Sequence, residues 1–284
     1  MTTVILGGED DAFAWCHEQG ISPLSVRVAL GPSDAWKLRG NVQVVQLDRP
    51  NPYIEQHLAN RAEGRPPGLF IVFEGGEGAG KSTQARRLAG RLYGLGHDIT
   101  PARQPGGTEL GWHIRRLLLL DERRDIPSDR AEALLYAADR AHHVRTVIRP
   151  SIARGAAVIC DRYVDSFTAY QAAGRGLPEA DVRWLNDFAT DGLIPDLTVL
   201  LDLPPEEGLA RVLRRRGANR LDKEALDFHQ RVRQRFLDLA AADPERYLVV
   251  PADAPQEQVA TTVAARVDQL RARRAETAGD HAVV

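Results

Sequence analysis

The stretch FEGGEGAGKSTQ, residues 73–84, decides how this chain is read. Gly75 is followed five positions on by Gly80, then by Lys81 and Ser82, which is the spacing G-x-x-x-x-G-K-[ST] of a phosphate-binding P-loop. The flanks agree with it. LFIVFEG (69–75) is an apolar run that predicts a strand entering the loop, and KSTQARRLAGRLYGLG (81–96) predicts the helix leaving it, closed by glycine. Backbone N–H groups at such a helix start face an anion, at the positive end of the helix dipole. The expected nucleotide cradle is Gly75, Gly76, Glu77, Gly78, Ala79, Gly80, Lys81, Ser82 and Thr83. Lys81 would neutralise the transferring phosphates and Ser82 would reach a magnesium ion. The plain alternative is a glycine-rich strand-to-helix turn with an exposed lysine. The loop alone does not say whether a bound nucleotide drives motion or surrenders a phosphoryl group.

Bulk composition narrows the choice. A chain of 284 residues suits one large domain, or a medium domain with a small companion. Its 43% hydrophobic and 27% charged content is that of a soluble globular protein. A formal net charge of -2 gives no global basic field for nucleic acid. The arginines cluster locally instead, which suggests a local anionic ligand. Cys16 and Cys160 lie too far apart in sequence to suggest a disulfide framework or a metal cluster, as in a reducing cytosol. No apolar run is long enough to span a bilayer, and no basic segment precedes an apolar leader. The expectation is a cytoplasmic protein with no nucleic-acid and no membrane partner.

EGRPPGLF (63–70) interrupts a helical pattern with two prolines and two glycines, and marks a domain boundary. Before it, TTVILGG, SVRVAL and VQVVQLD predict strands, and DDAFAWCHEQG and NPYIEQHLANRAEG predict helices. Residues 1–65 thus form a small α/β domain with no recognisable chemical constellation. From residue 66 to 275, strands and helices alternate as in a parallel-sheet α/β fold. AAVICDRY, PDLTVLLDLP and RYLVVPAD are further strands, and HQRVRQRFLDLAA has helical spacing. The tail, residues 276–284, is small and polar and is expected to be disordered.

Four more stretches show what the loop serves: ARQPGGTELG (102–111), AEALLYAADRAHH (131–143), VICDRYVDSFTAYQAAGRG (158–176), and PDLTVLLDLPPEEGLAR running into RVLRRRGANRLDKE (195–224). From Leu69 to Val267 they resemble, in order, the motifs of the thymidylate kinase family, including its TREPGGT and DR[YH]…S…AYQG stretches. The resemblance implies a P-loop NTPase three-layer fold, a parallel sheet flanked by helices, preceded here by the small α/β domain. It implies transfer of the ATP γ-phosphoryl group to dTMP, with magnesium, in a homodimer.

The residue types suit that chemistry. The acceptor is already an anion, so the site needs charge neutralisation and alignment more than a general base. Arginine serves phosphate because its fork donates two parallel hydrogen bonds. By resemblance, Arg103 and Arg162 hold the acceptor phosphate, and Asp161 supports magnesium with Ser82. Glu77 contacts the sugar 3′-hydroxyl and Tyr170 packs on the deoxyribose. Tyr136 and Arg140, four apart on one helix face, stack on the base and donate to its carbonyl. Taken alone, that pair is equally a core aromatic beside a surface arginine. Ser166 and Gln171 are hydrogen-bond partners for the base. The loop has no arginine of its own, so a lid at RVLRRRGANR supplies the catalytic cation, with Arg216 and Arg211 as candidates and Arg220 as a third; a solvated basic face is the alternative for each. The chain departs from the family at Gln104, Trp112 and Phe167, and Phe167 stands where it would crowd the base pocket. The rival functions are a kinase for another nucleoside monophosphate and a nucleotide-binding regulatory module acting through residues 1–65.

Overall fold

Three short parallel strands open the structure: β1 (Thr2–Leu6) lies between β2 (Arg27–Ala29) and β3 (Val42–Gln46). They fall on the three runs expected as strands. The computed structural model describes residues 2–6, 27–29, 42–46, 68–119, 127–214 and 220–279, so the two helices expected before residue 65 lie outside the described residues.

The second sheet holds β4 (Phe70–Glu74), β5 (Ile99–Arg103), β6 (Ala157–Asp161), β7 (Leu197–Asp202) and β8 (Tyr247–Pro251), all parallel, in the order β5-β6-β4-β7-β8. β4 is buried along its whole length and β7 nearly so, which is why both read as unbroken apolar runs. β5 escaped the sequence reading. Its ITPAR has no apolar run, and its proline is tolerated because, among the described residues, β6 is the strand's one partner.

The described α-helices, in chain order, are α1 (Lys81–Gly94), α2 (Glu109–Leu119), α3 (Asp129–His143), α4 (Arg149–Ala153), α5 (Val164–Phe167), α6 (Glu179–Thr190), α7 (Pro205–Leu213), α8 (Leu226–Ala242) and α9 (Gln256–Gly279). α1 follows the loop as expected, burying Gln84, Ala85, Leu88 and Leu92 on one face. The AYQAAG stretch is a π-helix, Thr168–Gly174, a rare geometry that recurs at functional sites. α9 continues through Gly279, four residues into the segment expected to fray (276, 277, 278 and 279). The stripe Val259, Val263 and Val267 buries its earlier turns.

The chain divides into two compact units. One comprises Met1–Leu69, Arg149–Ala156 and Arg274–Val284; the other, Phe70–Ile148 and Ala157–Arg273, contains the large sheet. In the first unit, the Gly68 N–H donates to Ile152 O at 3.0 Å, and Arg274 Nη1 donates to Gly68 O at 3.0 Å. Because the five strands of the second unit are parallel, their C-terminal ends share one edge, where α/β folds place ligand sites.

Candidate active site

The chain leaves β4 and turns at once. Gly75 has φ +136°, and a Cβ there would sit 2.4 Å from Leu201 O on β7; at Gly78, φ +68°, a Cβ would sit 2.2 Å from Gly208 O on α7. Both positions admit glycine alone, so the loop's shape is fixed by the strand and helix beside it. Lys81 opens α1 and is buried, with Nζ donating to Gly75 O at 3.0 Å and Gly76 O at 2.5 Å. Burial, then the adjacent Arg162, pull its ammonium down to about 8 against the opposing pull of Asp161, Glu77 and Glu74. Ser82 Oγ donates to Asp161 Oδ2 at the end of β6.

A cavity of about 530 Å³ extends from this loop over the strand ends. Glu77, Lys81, Ser82, Arg103, Tyr136, Arg140, Asp161, Arg162, Ser166, Tyr170 and Gln171 all line it, so most of the residues expected at the site meet in one hollow. The register sets Arg103 opposite Asp161, which brings the two arginine-bearing strand ends side by side. Arg162 is a non-glycine residue at φ +71°, a conformation that costs on the order of 1–3 kcal/mol and so needs outside support. Its N–H donates to Phe73 O at 2.9 Å. Its guanidinium donates to Gly75 O at 3.2 Å, Ser166 Oγ at 3.0 Å and Glu77 Oε1 at 3.0 Å. Burial opposes its charge, but Tyr170, Glu77, Asp161 and Glu74 outweigh burial and raise its pKa.

Glu77 is held from several sides. Oε1 accepts from Arg162 and the Tyr170 hydroxyl, and Oε2 lies 3.4 Å from His229 Nδ1 on α8. Burial pushes this carboxyl up, yet His229, Arg162, Lys81 and Tyr170 together hold it well below the usual range. Glu74, fully buried at the end of β4, accepts from Tyr163 N at 2.7 Å, Ser166 N at 3.1 Å and Ser166 Oγ at 2.5 Å. Ser166 lines the cavity while its hydroxyl donates to Glu74 and its oxygen accepts from Arg162, so it also braces the arginine.

At the far end, Tyr136 and Phe167 meet edge to face with centroids 6.3 Å apart. Phe167 is mostly part of the core, packed with Ala133, Ala172 and Val182, so it forms the wall of the cavity and does not plug it. Arg140 is 2% exposed, with Nε donating to Gln104 Oε1 at 3.0 Å and Nη1 to Asn186 Oδ1 at 2.9 Å; its guanidinium lies 4.8 Å from the Phe167 ring centre. Gln104, the neutral replacement in QPGGT, also contacts His143 Nδ1 at 3.1 Å. Trp112, another departure, is half-exposed and stacks under Arg116 at 4.8 Å.

The expected lid arginines separate. Arg211 lines a smaller cavity of about 150 Å³ with Gly78, Gly80, Thr83, Ala252 and Gln256, and donates to Ala252 O at 3.0 Å. Arg220 turns the other way, contacting Glu132 on α3 and Leu118 O on α2. Arg216 lies outside the described residues. Sequence reasoning also missed Arg115, which lines the large cavity and donates to Pro105 O at 3.0 Å. It missed His229 and Glu132 as well. The one available signal for Arg115 was its place in the helix after PGGT.

Comparisons with known proteins agree with this geometry. A family model described as thymidylate kinase matches residues 73–263. The thymidylate kinase of Clavibacter michiganensis subsp. michiganensis is 53% identical over 206 residues, spanning 72% of this chain and 96% of that protein. That of Deinococcus radiodurans is 50% identical over 202 residues, spanning 71% of this chain and 97% of that protein. The crystal structure of thymidylate kinase from Ehrlichia chaffeensis superposes with a TM-score of 0.58 at 32% identity, covering 72% of this chain and all of that one. With its P-loop, its arginine-lined cavity and these relatives, the chain belongs to the thymidylate kinase family.

Proposed function

We infer that the chain transfers the γ-phosphoryl group of ATP to dTMP, giving ADP and dTDP. The observation that carries this reading is that Lys81, Arg162 and Tyr136 line one cavity. A phosphate-binding loop, an acceptor-side cation and a base-sized aromatic wall therefore share a single space. An oxygen of the dTMP phosphate attacks the γ-phosphorus. The bond from that phosphorus to the β,γ-bridging oxygen breaks, and the electron pair leaves with ADP. No side chain has to remove a proton, so the chain contributes position and charge. Lys81 and the loop hold the donor phosphates. Arg162, Arg103 and Arg115 gather the acceptor phosphate, and Glu77 and Tyr170 flank its sugar. Arg140 with Tyr136 bounds the base, and Arg211 with Thr83 lies on the donor side. Arg216 remains a proposal from sequence for the transferring group.

Ser82 and Asp161 suit magnesium. They are hard oxygen donors in direct contact, and this ion commonly takes one or two protein oxygens and fills its shell with phosphate and water. When bound, it would neutralise charge on the β- and γ-oxygens. We assign residues 1–65 to a separate domain, 66–275 to the kinase domain and 276–284 to a tail. No described helix is long and apolar enough to cross a membrane, and we place the enzyme in the cytoplasm. We also assign a homodimer. Trp184 and Phe188 on α6 stack on each other while 62% and 74% exposed, a surface that asks for a partner. Phe188→Asp should shift the sedimentation of a dimer towards the monomer.

The functional reading is tested by turnover of dTMP, dUMP, dCMP and dGMP with ATP and magnesium. dTMP should give the highest kcat/KM. Failure of dTMP with success of another monophosphate would replace the substrate. ATP binding without transfer to any acceptor would favour the regulatory module.

A further inference from the structure

We propose that His143 is a positioning residue whose Nδ1 lone pair orients the Gln104 amide and, through it, the Arg140 guanidinium that bounds the acceptor pocket. This rests on the reading of the large cavity as the monophosphate site. Arg140 and Gln104 both line that cavity. His143, the last residue of α3, is fully buried and is absent from the cavity walls. Arg140 Nε donates to Gln104 Oε1 at 3.0 Å, and Gln104 Nε2 lies 3.1 Å from His143 Nδ1.

Polarity runs one way along these three side chains. A guanidinium has donors and no acceptor, so the Gln104 oxygen must face Arg140 and its nitrogen must face His143. Nδ1 then accepts. Burial, followed by His142 and Arg140, pushes the imidazole down to about 4, so the ring is neutral near neutral pH and carries one proton. With Nδ1 accepting, that proton sits on Nε2, which is buried with no hydrogen-bond partner among the described residues. A Cβ on Gly107 would lie 2.4 Å from Nε2, so the ring is seated against bare backbone. An unpaired buried N–H is costly, but the alternatives cost more. The other tautomer would set N–H against N–H, or turn the amide and set its nitrogen against Arg140. Asn186 Oδ1 holds Nη1 at 2.9 Å, so Gln104 and Asn186 together set the plane of the guanidinium fork. A carboxylate at 104 would accept from Arg140 with either oxygen and would need no orienting partner. The glutamine of QPGGT and the buried His143 are therefore two halves of one device.

The test is equilibrium binding of dTMP and ATP to the full chain by calorimetry. His143→Leu takes away the acceptor and frees the amide to turn. The Kd for dTMP should rise about tenfold, as for loss of a hydrogen bond to a charged group, while the Kd for ATP changes by less than about twofold. His143→Asn can return an acceptor near the place of Nδ1 and should recover most of the loss. In a Gln104→Glu background the same leucine should cost less than about twofold, because the carboxylate needs no orienting. Leucine that is harmless beside Gln104, or equally harmful in both backgrounds, overturns the proposal. Nitrogen NMR of the free protein reads the pair without any substrate: the His143 proton should lie on Nε2, and should move to Nδ1 in Gln104→Glu. A proton on Nδ1 in the unaltered chain overturns the proposal, whether or not the leucine variants fold. Failure of phosphoryl transfer to every monophosphate would sink the functional reading and leave this NMR result standing.

Discussion

Lys81 and Arg162 reach the same cavity, yet they are held there by different means. Lys81 belongs to a run of consecutive residues and donates to carbonyls of that same run, Gly75 and Gly76. Arg162 depends mainly on partners far away in sequence: Phe73 and Gly75 for its backbone and fork, Glu77 for its charge, and Glu74, which fixes the nearby Ser166 that accepts from it. The donor loop is a local object braced by neighbours, whereas the acceptor wall exists only when strand ends and helices are assembled. Damage to the wall should therefore affect the acceptor alone. Arg162→Ala removes a cation from the acceptor phosphate and leaves Glu77 short of a partner. We expect kcat/KM for dTMP to fall by about 10³-fold, within the range known for arginines in phosphoryl transfer. The Kd for ATP should change by no more than a few-fold. An equal loss in ATP binding would mean that the two regions are one.

This contrast also governs what could be read in advance. The loop, its strand and its helix were legible because spacing and apolar runs are properties of contiguous sequence. The central strands were legible for the same reason, while β5, with Pro101 at a sheet edge, gave no such run. At the wall, residue types were legible but their duties were not. Nothing in DSFTAYQ says that the Ser166 proton is committed to a glutamate 92 positions away, or that Arg140 is tied to Gln104 and Asn186. Glu132 and His229 gave no local signal at all, since each meets the cavity only by contacting a residue on another element, Gln171 and Glu77.

A second, smaller effect sharpens the description of the loop. The Lys81 ammonium is held at about 8 by burial and by Arg162, and only its charged form neutralises phosphate. In the free enzyme that form is lost as pH rises through this value. kcat/KM for ATP should then fall about tenfold per unit at higher pH. Bound triphosphate draws the pKa upward, so the alkaline limb should retreat at saturating ATP. Lys81→Arg stays charged, and its slower reaction should show no such limb. A limb that persists in Lys81→Arg would assign the titration to another group.

The smallest effect concerns Arg211, where the sequence expectation and the fold diverge most. As a lid residue acting on the transferring group, it should control kcat. Its observed partners are Ala252 O and Gly78 O, on the outer side of the loop, and it lines the smaller cavity. Its ion pair with Glu207 is long, at 4.0 Å, and both side chains are partly solvated, so that pair contributes little. What remains is a hydrogen-bonding side chain beside a donor nucleotide. Its loss should cost about 1 kcal/mol, or roughly fivefold in KM for ATP, with kcat and the KM for dTMP unchanged. A hundredfold fall in kcat at constant KM would put this guanidinium on the transferring phosphoryl group. The arginine would then have to swing off Ala252 during the reaction, and the division between donor loop and acceptor wall would hold only until both substrates are bound.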